Sequence, residues 1–300
     1  MDATYFFLAL IVAVLYGVTM WHSSIEGFED GSTSVTYEDA KDIYDDVYAA
    51  IYNLLWHPNE QLKYEQVSIH DIALAEKPVT AIKVLDMACG TAPHACYFKT
   101  LGVDYVGVDL SDGMLNQARK DCATATFQNG DVTQAHMFPP KSASTCLLLG
   151  FGVYDFQNPK VLADNAYQWL TPEGVFVVHM VDPDKFDPLL DLASPFAAFS
   201  LQKYALERQT ESVVYFDQFK YAGKFDKKTG EDRASFNETL SYYDPSTNHG
   251  VKYRENKHHL TMPSKERLID LFKTSGFRHL ETVDLVRCGK EYQYLVYFTK

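Results

Sequence analysis

Apolar and polar positions change pattern several times along the chain. Between Asp2 and Glu26 no side chain is charged, and Tyr5 to Trp21 is a nearly unbroken apolar run, YFFLALIVAVLYGVTMW. As a helix this run reaches about 25 Å, and Tyr5 and Trp21 suit the two interfaces of a ~30 Å hydrocarbon layer. The pattern predicts one transmembrane helix as a membrane anchor within residues 1–24. A cleaved signal peptide is the competing reading, but the basic n-region and an A-x-A site are missing. Residues 25–36 (IEGFEDGSTSVT) are acidic, Gly/Ser-containing and aperiodic, and read as a linker. From Tyr37 to Trp56 the residues Ile43, Val47, Ile51, Leu54 and Leu55 recur at helical spacing, so an amphipathic helix opens a globular domain over 37–300.

From Ile82 onward short apolar runs alternate with helical stretches. IKVLDM (82–87), YVGVDL (105–110), ATFQNGD (125–131), TCLLLGF (145–151) and VFVVHMV (175–181) read as strands. Between them PHACYFKTL and DGMLNQARK read as helices, the second capped by Ser111, and Asn158-Pro159 opens a third that ends at Leu170 before the turn TPEG. Strands that are apolar on both faces and separated by helices predict a doubly wound, Rossmann-like α/β sheet. The helix 264–275 and two further strands, His279–Asp284 and Tyr292–Thr299, bring the sheet to seven strands. The stretch from about 182 to 263 is far too long for an ordinary connection. It holds SVVYFDQFKYAG, ASFNETLSYYD and VKYRENKHHLTM, which predict an antiparallel β lid inserted over the pocket.

Charge and composition narrow the partners. The 300 residues carry 27 Lys+Arg against 40 Asp+Glu, a net charge of −13, with no Lys/Arg-rich run. That excludes a partner held mainly through phosphate backbones, so no nucleic acid is expected. With 46% apolar residues and 14% aromatics the chain buries a core, which excludes wholesale disorder. Cys89, Cys96, Cys122, Cys146 and Cys288 are scattered without a CxxC pair, so neither a zinc ribbon nor a disulfide framework is expected and no metal is called for. Unpaired cysteines fit a reducing compartment, with the domain facing the cytosol.

Ligands of such sheets bind at the carboxyl ends of the strands. The first strand ends in Asp86-Met87-Ala88-Cys89-Gly90-Thr91-Ala92, a turn of small residues that a ligand can approach closely. The second ends in Asp109, 23 residues after Asp86, where a carboxylate can accept from both hydroxyls of a ribose; the third ends in Asn129-Gly130-Asp131. Three acidic strand ends around one small turn suit a ligand with a ribose and a positive charge and suit a pyrophosphate poorly. The glycine fingerprint of nicotinamide dehydrogenases is missing.

These motifs, in this order and spacing, resemble the class I S-adenosylmethionine-dependent methyltransferases. VLDMACGTA resembles their glycine-rich first motif, YVGVDLS the second, NGDV the third, and LLLGFGVYDF stands in place of the fourth. Ala88 and Ala92 depart from the usual glycines. The resemblance implies S-adenosylmethionine as cofactor, held by Asp86, Ala88, Cys89, Gly90, Asp109, Leu110, Met114, Gly130, Asp131, Val132, Leu149 and Phe151. Asp109 would meet the ribose and Asp131 with Val132 the adenine.

The acceptor is read from what is added to this core. Nine aromatics between Glu211 and Leu260 predict apolar walls that exclude water from a small or mid-sized substrate. The insertion together with KHHLTMPSKERLIDLFKTSGF resembles small-molecule and amino-sugar methyltransferases. Tyr44 resembles the tyrosine that covers the methyl group in several relatives. His179, His258 and His259 have pKa values suited to a base, with His179 and His259 taken with Tyr44 as the catalytic candidates; Asp155 and Asp182 are further pocket residues. The expectation is methyl transfer to an amine or hydroxyl of a small molecule or sugar by an enzyme tethered through residues 5–21. The alternatives are a protein side-chain methyltransferase, a non-catalytic binding or scaffold protein of the same fold, and a secreted enzyme.

Overall fold

The computed structural model describes residues 33–56, 59–193, 208–243 and 251–300. The expected anchor, 1–24, and most of the expected linker lie outside the described residues. Among the described residues no helix is long and apolar enough to cross a membrane.

The described chain begins with β1 (Thr33–Tyr37), α1 (Ala40–Ile43), α2 (Asp46–Trp56) and α3 (Asn59–Ile69). The single helix expected over 37–56 is therefore replaced by a strand end and two helices. Arg254, reaching across from a distant strand, occupies the break: its Nη1 donates to both carboxylate oxygens of Asp45 at 2.8 Å, and its Nη2 donates to the Ile43 carbonyl at 2.6 Å. Asp45 also accepts from the Tyr48 amide at 2.9 Å, capping α2.

The central sheet is built from β2 (Lys83–Met87), β3 (Asp104–Asp109), β4 (Thr126–Asn129), β5 (Ala143–Leu148), β6 (Leu170–Val181), β11 (Arg278–Asp284) and β12 (Gln293–Thr299). Their order is β11-β12-β6-β5-β2-β3-β4, with β12 antiparallel to both neighbours and the others parallel. The predicted seven-stranded α/β sheet is thus observed. The predicted TPEG turn is instead a bulge inside β6, where the pairing with β5 jumps from Ala143↔Leu170 to Thr145↔Val175 and Glu173 takes a positive φ of 58°.

Alternation along β6 sorts the two faces. Phe176, Val178 and Met180 pack toward α6 (Pro159–Trp169) and α7 (Lys265–Thr274), against Leu162, Ala166, Trp169, Leu268 and Phe272. Val175 and Val177 pack on the other face with Ile69 of α3, Phe98 of α4 (Ala95–Thr100) and Leu115 of α5 (Asp112–Asp121). Each large apolar side chain buried here contributes about 1.5–3 kcal/mol. His179 shares the face of Val175 and Val177, which makes it a polar residue at the rim of an apolar layer.

The insertion forms the expected lid: β7 (Glu211–Tyr215), β8 (Phe219–Lys227), β9 (Arg233–Tyr243) and β10 (Val251–Thr261), all antiparallel. The first of the three predicted lid stretches is a hairpin, β7 and β8, closed by Phe216 N–H donating to the Phe219 carbonyl at 2.9 Å. β1 adds to the outer edge of β10 in parallel, so the end of the segment read as a linker is part of the lid sheet. A further correction concerns the cysteines: Cys96 of α4 and Cys122 at the end of α5 form a disulfide, Cα atoms 5.4 Å apart. The two helices are neighbours in space, which a separation of 26 residues does not reveal.

Candidate active site

A cavity of about 320 Å³ lies between the carboxyl ends of β2, β3, β5 and β6, the α1–α2 corner and the lid. One end is built by the small-residue turn. Ala88, Gly90 and Ala92 all have positive φ, of 52°, 56° and 50°. This left-handed sequence folds the turn back so that the Gly90 amide donates to Asp109 Oδ2 at 2.8 Å. Ser111 donates its amide to Asp109 Oδ1 at 2.9 Å, so backbone donors hold both carboxylate oxygens at the tip of β3. Burial raises the Asp109 pKa, opposed by those backbone hydrogen bonds.

Beside Asp109, Leu110 lines the cavity with 57% of its surface uncovered, and Val132 and Met114 line the same end. Asp131 Oδ1 accepts from the amide and hydroxyl of Thr133, at 2.9 and 2.7 Å, and Oδ2 from Gln134. Burial acts against its charge, but these bonds hold its pKa below the usual range.

Tyr44 is held over this end by Ser111, whose hydroxyl donates to the Tyr44 carbonyl while capping α5 through the Met114 amide. Burial, then the charge of Asp155, raises the Tyr44 phenol well above its ordinary pKa. Gly113 permits this contact: a Cβ there would lie 2.5 Å from the Asp45 carbonyl carbon and 2.6 Å from the Asp46 nitrogen.

A buried polar group closes the side next to β6 and α3. Glu65 Oε2 and His94 Nε2 are 3.1 Å apart and both side chains are only 4% exposed. Burial opposes the Glu65 charge, yet the hydrogen bond and charge of His94, with the charge of His179, hold its pkA at about 2. Asp86 accepts from the Tyr105 hydroxyl at 2.6 Å, and burial pushes its pKa up to about 6. Among the described residues, His94 Nδ1, both ring nitrogens of His179 and Gln293 Oε1 are buried without a hydrogen-bond partner, and all three residues line the cavity. Burial lowers the His179 pKa, opposed by the charge of Glu65.

The lid supplies the far wall. Phe225, Phe236, Leu260 and Met262 line it, joined by Phe151, whose ring lies 4.7 Å from that of His179. Asp155 also lines the cavity; burial pushes its pKa to about 6, against the lowering charge of His258.

All twelve residues that the sequence motifs nominate for the cofactor line this one cavity, as do Tyr44, His179 and Asp155. His259 does not line it, because strand alternation turns His258 inward in its place. Asp182 stands outside, 3.0 Å from Lys185 Nζ. Glu65, His94, Tyr48, Tyr52 and Glu238 escape the sequence reading. Glu65 lies within α3 and His94 caps the start of α4, and neither position leaves a periodic trace in the sequence.

Residues 84–174 match the methyltransferase domain family. Over that stretch the chain is similar to methyltransferase domains. A curated relative, the dTDP-3-amino-3,4,6-trideoxy-alpha-D-glucopyranose N,N-dimethyltransferase of Streptomyces venezuelae, is 29% identical over 138 residues, or 45% of this chain. The chain spans 58% of that relative's length. Among solved structures, the sugar N-methyltransferase KedS8 from Streptoalloteichus sp. ATCC 53650 superposes with a TM-score of 0.62 at 19% identity, covering 91% of this chain and 99% of that one. An S-adenosylmethionine-dependent methyltransferase from Clostridium acetobutylicum ATCC 824 gives 0.59 at 15% identity, covering 85% and 98%. At these identities the likeness is one of fold.

Proposed function

We propose that this methyltransferase domain transfers a methyl group from S-adenosylmethionine to an amine of a small molecule, with amino sugars as the leading class. The observation that carries the reading is that one cavity joins the Asp109–Gly90 corner to an aromatic chamber walled by the lid and holding Asp155. The residues present fit the cofactor. The uncovered face of Leu110, with Val132, suits a flat base; Asp109 is an acceptor for ribose hydroxyls; and the turn from Ala88 to Ala92 has no bulky side chain to keep a ligand from its backbone. When bound, the cofactor supplies an electrophilic methyl group on a sulfonium. The chain's own contribution is to hold the acceptor, exclude water through the lid aromatics, and orient it. A carboxylate at Asp155 holds an ammonium better than a neutral hydroxyl, which favours N- over O-methylation.

The curated relative and KedS8 are named for amino-sugar and sugar N-methylation, which supports the same acceptor class. Residues 5–21 tether the enzyme to a membrane in this reading; recovery of the full chain in the supernatant after high-speed centrifugation of lysed cells would refute that part. Calorimetric titration with S-adenosylmethionine and S-adenosylhomocysteine tests the cofactor assignment. Micromolar binding that weakens more than tenfold in Asp109→Ala is expected, and a folded native protein that binds neither would overturn the reading.

A further inference from the structure

Glu238 of β9, the most heavily bonded carboxylate among the described residues of the lid, takes no part in the cofactor end of the cavity. It is 1% exposed. Its Oε1 accepts from the hydroxyls of Tyr48 and Tyr221, at 2.6 and 2.9 Å. Its Oε2 accepts from Tyr48 at 2.7 Å and from Asn256 Nδ2 at 3.3 Å, and lies 2.7 Å from His258 Nε2. A charge buried this far from water costs several kcal/mol unless it is paired, and only His258 among these partners carries a proton it can exchange near neutral pH. His258 in turn lines the cavity with Asp155. A Glu238 carboxylate accepting from Nε2–H selects the tautomer whose lone pair is on Nδ1, the other side of the ring.

From this geometry we infer that Glu238 and His258 form a carboxylate–imidazole pair that removes a proton from a cationic amine acceptor held by Asp155, with His258 the catalytic base and Glu238 its positioning residue. The inference rests on the N-methyltransferase reading and deepens it: the acceptor binds as an ammonium and must lose one proton before it reacts. That proton passes from the ammonium to His258 Nδ1, leaving an imidazolium whose Nε2–H remains on Glu238. The lone pair set free on nitrogen forms the new N–C bond as the methyl–sulfur bond breaks with its electron pair staying on sulfur. The product is the methylated ammonium and a neutral thioether, and His258 returns its proton to solvent after release.

The groups around His258 agree with this assignment. They are Glu238 from β9, Asp155 from the connection after β5, and Tyr44 and Tyr48 from the α1–α2 corner, with the Tyr44 ring 5.8 Å from the imidazole. Arg254 spends its charge on Asp45 and bonds Asn256 at 3.0 Å, so it does not compete for Glu238. Burial works against the imidazolium, but the Glu238 hydrogen bond, then the charges of Glu238 and Asp155, raise the His258 pKa above its ordinary value. Activity should therefore rise with pH through a value higher than that of a free histidine.

The test uses the full chain with His258→Gln and Glu238→Gln, a dTDP-linked 3-amino sugar as acceptor, and three readouts. S-adenosylhomocysteine affinity by calorimetry is expected to stay within about twofold of native in both variants, which shows that the fold and cofactor site survive. His258→Gln should lower kcat about 10²–10³-fold at pH 7 with recovery above pH 9, where the amine loses its proton unaided. Glu238→Gln should move the acidic limb of the kcat/KM profile, and the His258 imidazole titration seen by NMR, to lower pH. An unchanged pH profile in His258→Gln, or an unmoved His258 titration in Glu238→Gln, would overturn the inference. Native protein that binds no S-adenosylhomocysteine would instead overturn the underlying reading, a result the variants cannot mimic. If the chosen sugar is not turned over, the NMR titration still decides whether Glu238 controls His258.

Discussion

At the scale of single residues, the cavity is organised by buried charges whose neighbours decide their protonation. Glu65 and Asp86 are both fully enclosed carboxylates near His94, yet they move in opposite directions. Burial wins at Asp86, which is pushed up to about 6, and His94 wins at Glu65, held at about 2. The sign of the stability effect follows. Glu65 has a folded pKa below its unfolded value of 4.5, so its contribution is present above that value and is lost as the pH falls toward 2. The shift corresponds to about 3 kcal/mol. Glu65→Gln should therefore destabilise the protein most at pH 5–7, with the gap closing below pH 3; urea unfolding across this range checks it. A gap independent of pH would mean that Glu65 acts through packing alone. Asp86 works the other way, since its ionisation on raising the pH through 6 occurs in a buried site and costs stability.

The elements that matter most are the α1–α2 corner and the lid sheet, joined by the Arg254–Asp45 pair and the Glu238 bonds to Tyr48. This corner presses directly on the start of α5 at Gly113, where the three atoms nearest to an added methyl group are backbone atoms of Asp45 and Asp46. Gly113→Ala should lower stability by about 1–2 kcal/mol, because overpacking costs ~1–3 kcal/mol and the helix-propensity gain returns at most ~1 kcal/mol. It should also weaken S-adenosylhomocysteine binding severalfold by moving Tyr44. Equal affinity in the variant and native protein, measured calorimetrically, would show that the corner does not set the site. The amphipathic pattern over 37–56 was legible, but its break at Tyr44-Asp45 was not, because the guanidinium that occupies it comes from residue 254.

For the whole molecule, two layers of helices and a second sheet enclose the central strands, and one covalent link stiffens the helical layer beneath the turn from Ala88 to Ala92. The Cys96–Cys122 bond joins α4 and α5 across a sequence separation of 26, for which chain entropy gives about 3.5 kcal/mol. Cys96→Ser should lower the unfolding free energy by roughly 2–4 kcal/mol without reductant and by much less with it; the same loss under both conditions would mean the bond does not form in solution.

The sequence by itself determined the doubly wound sheet, the lid insertion and the residues that line one end of the cavity. Those features follow from local pattern: strands apolar on both faces, their carboxyl ends at Asp86, Asp109 and Asp131, and a turn of small residues between strand and helix. Only the tertiary structure decided which histidine of His258 and His259 faces the cavity, that Glu238 stands behind it, that Glu65 meets His94, that β1 joins β10, and that Cys96 meets Cys122. Each of these pairs residues far apart in the chain or turns on strand register, and neither leaves a periodic trace in composition or spacing. Period-2 alternation settles that one histidine of the pair points inward; the register of β10 against β9 settles which.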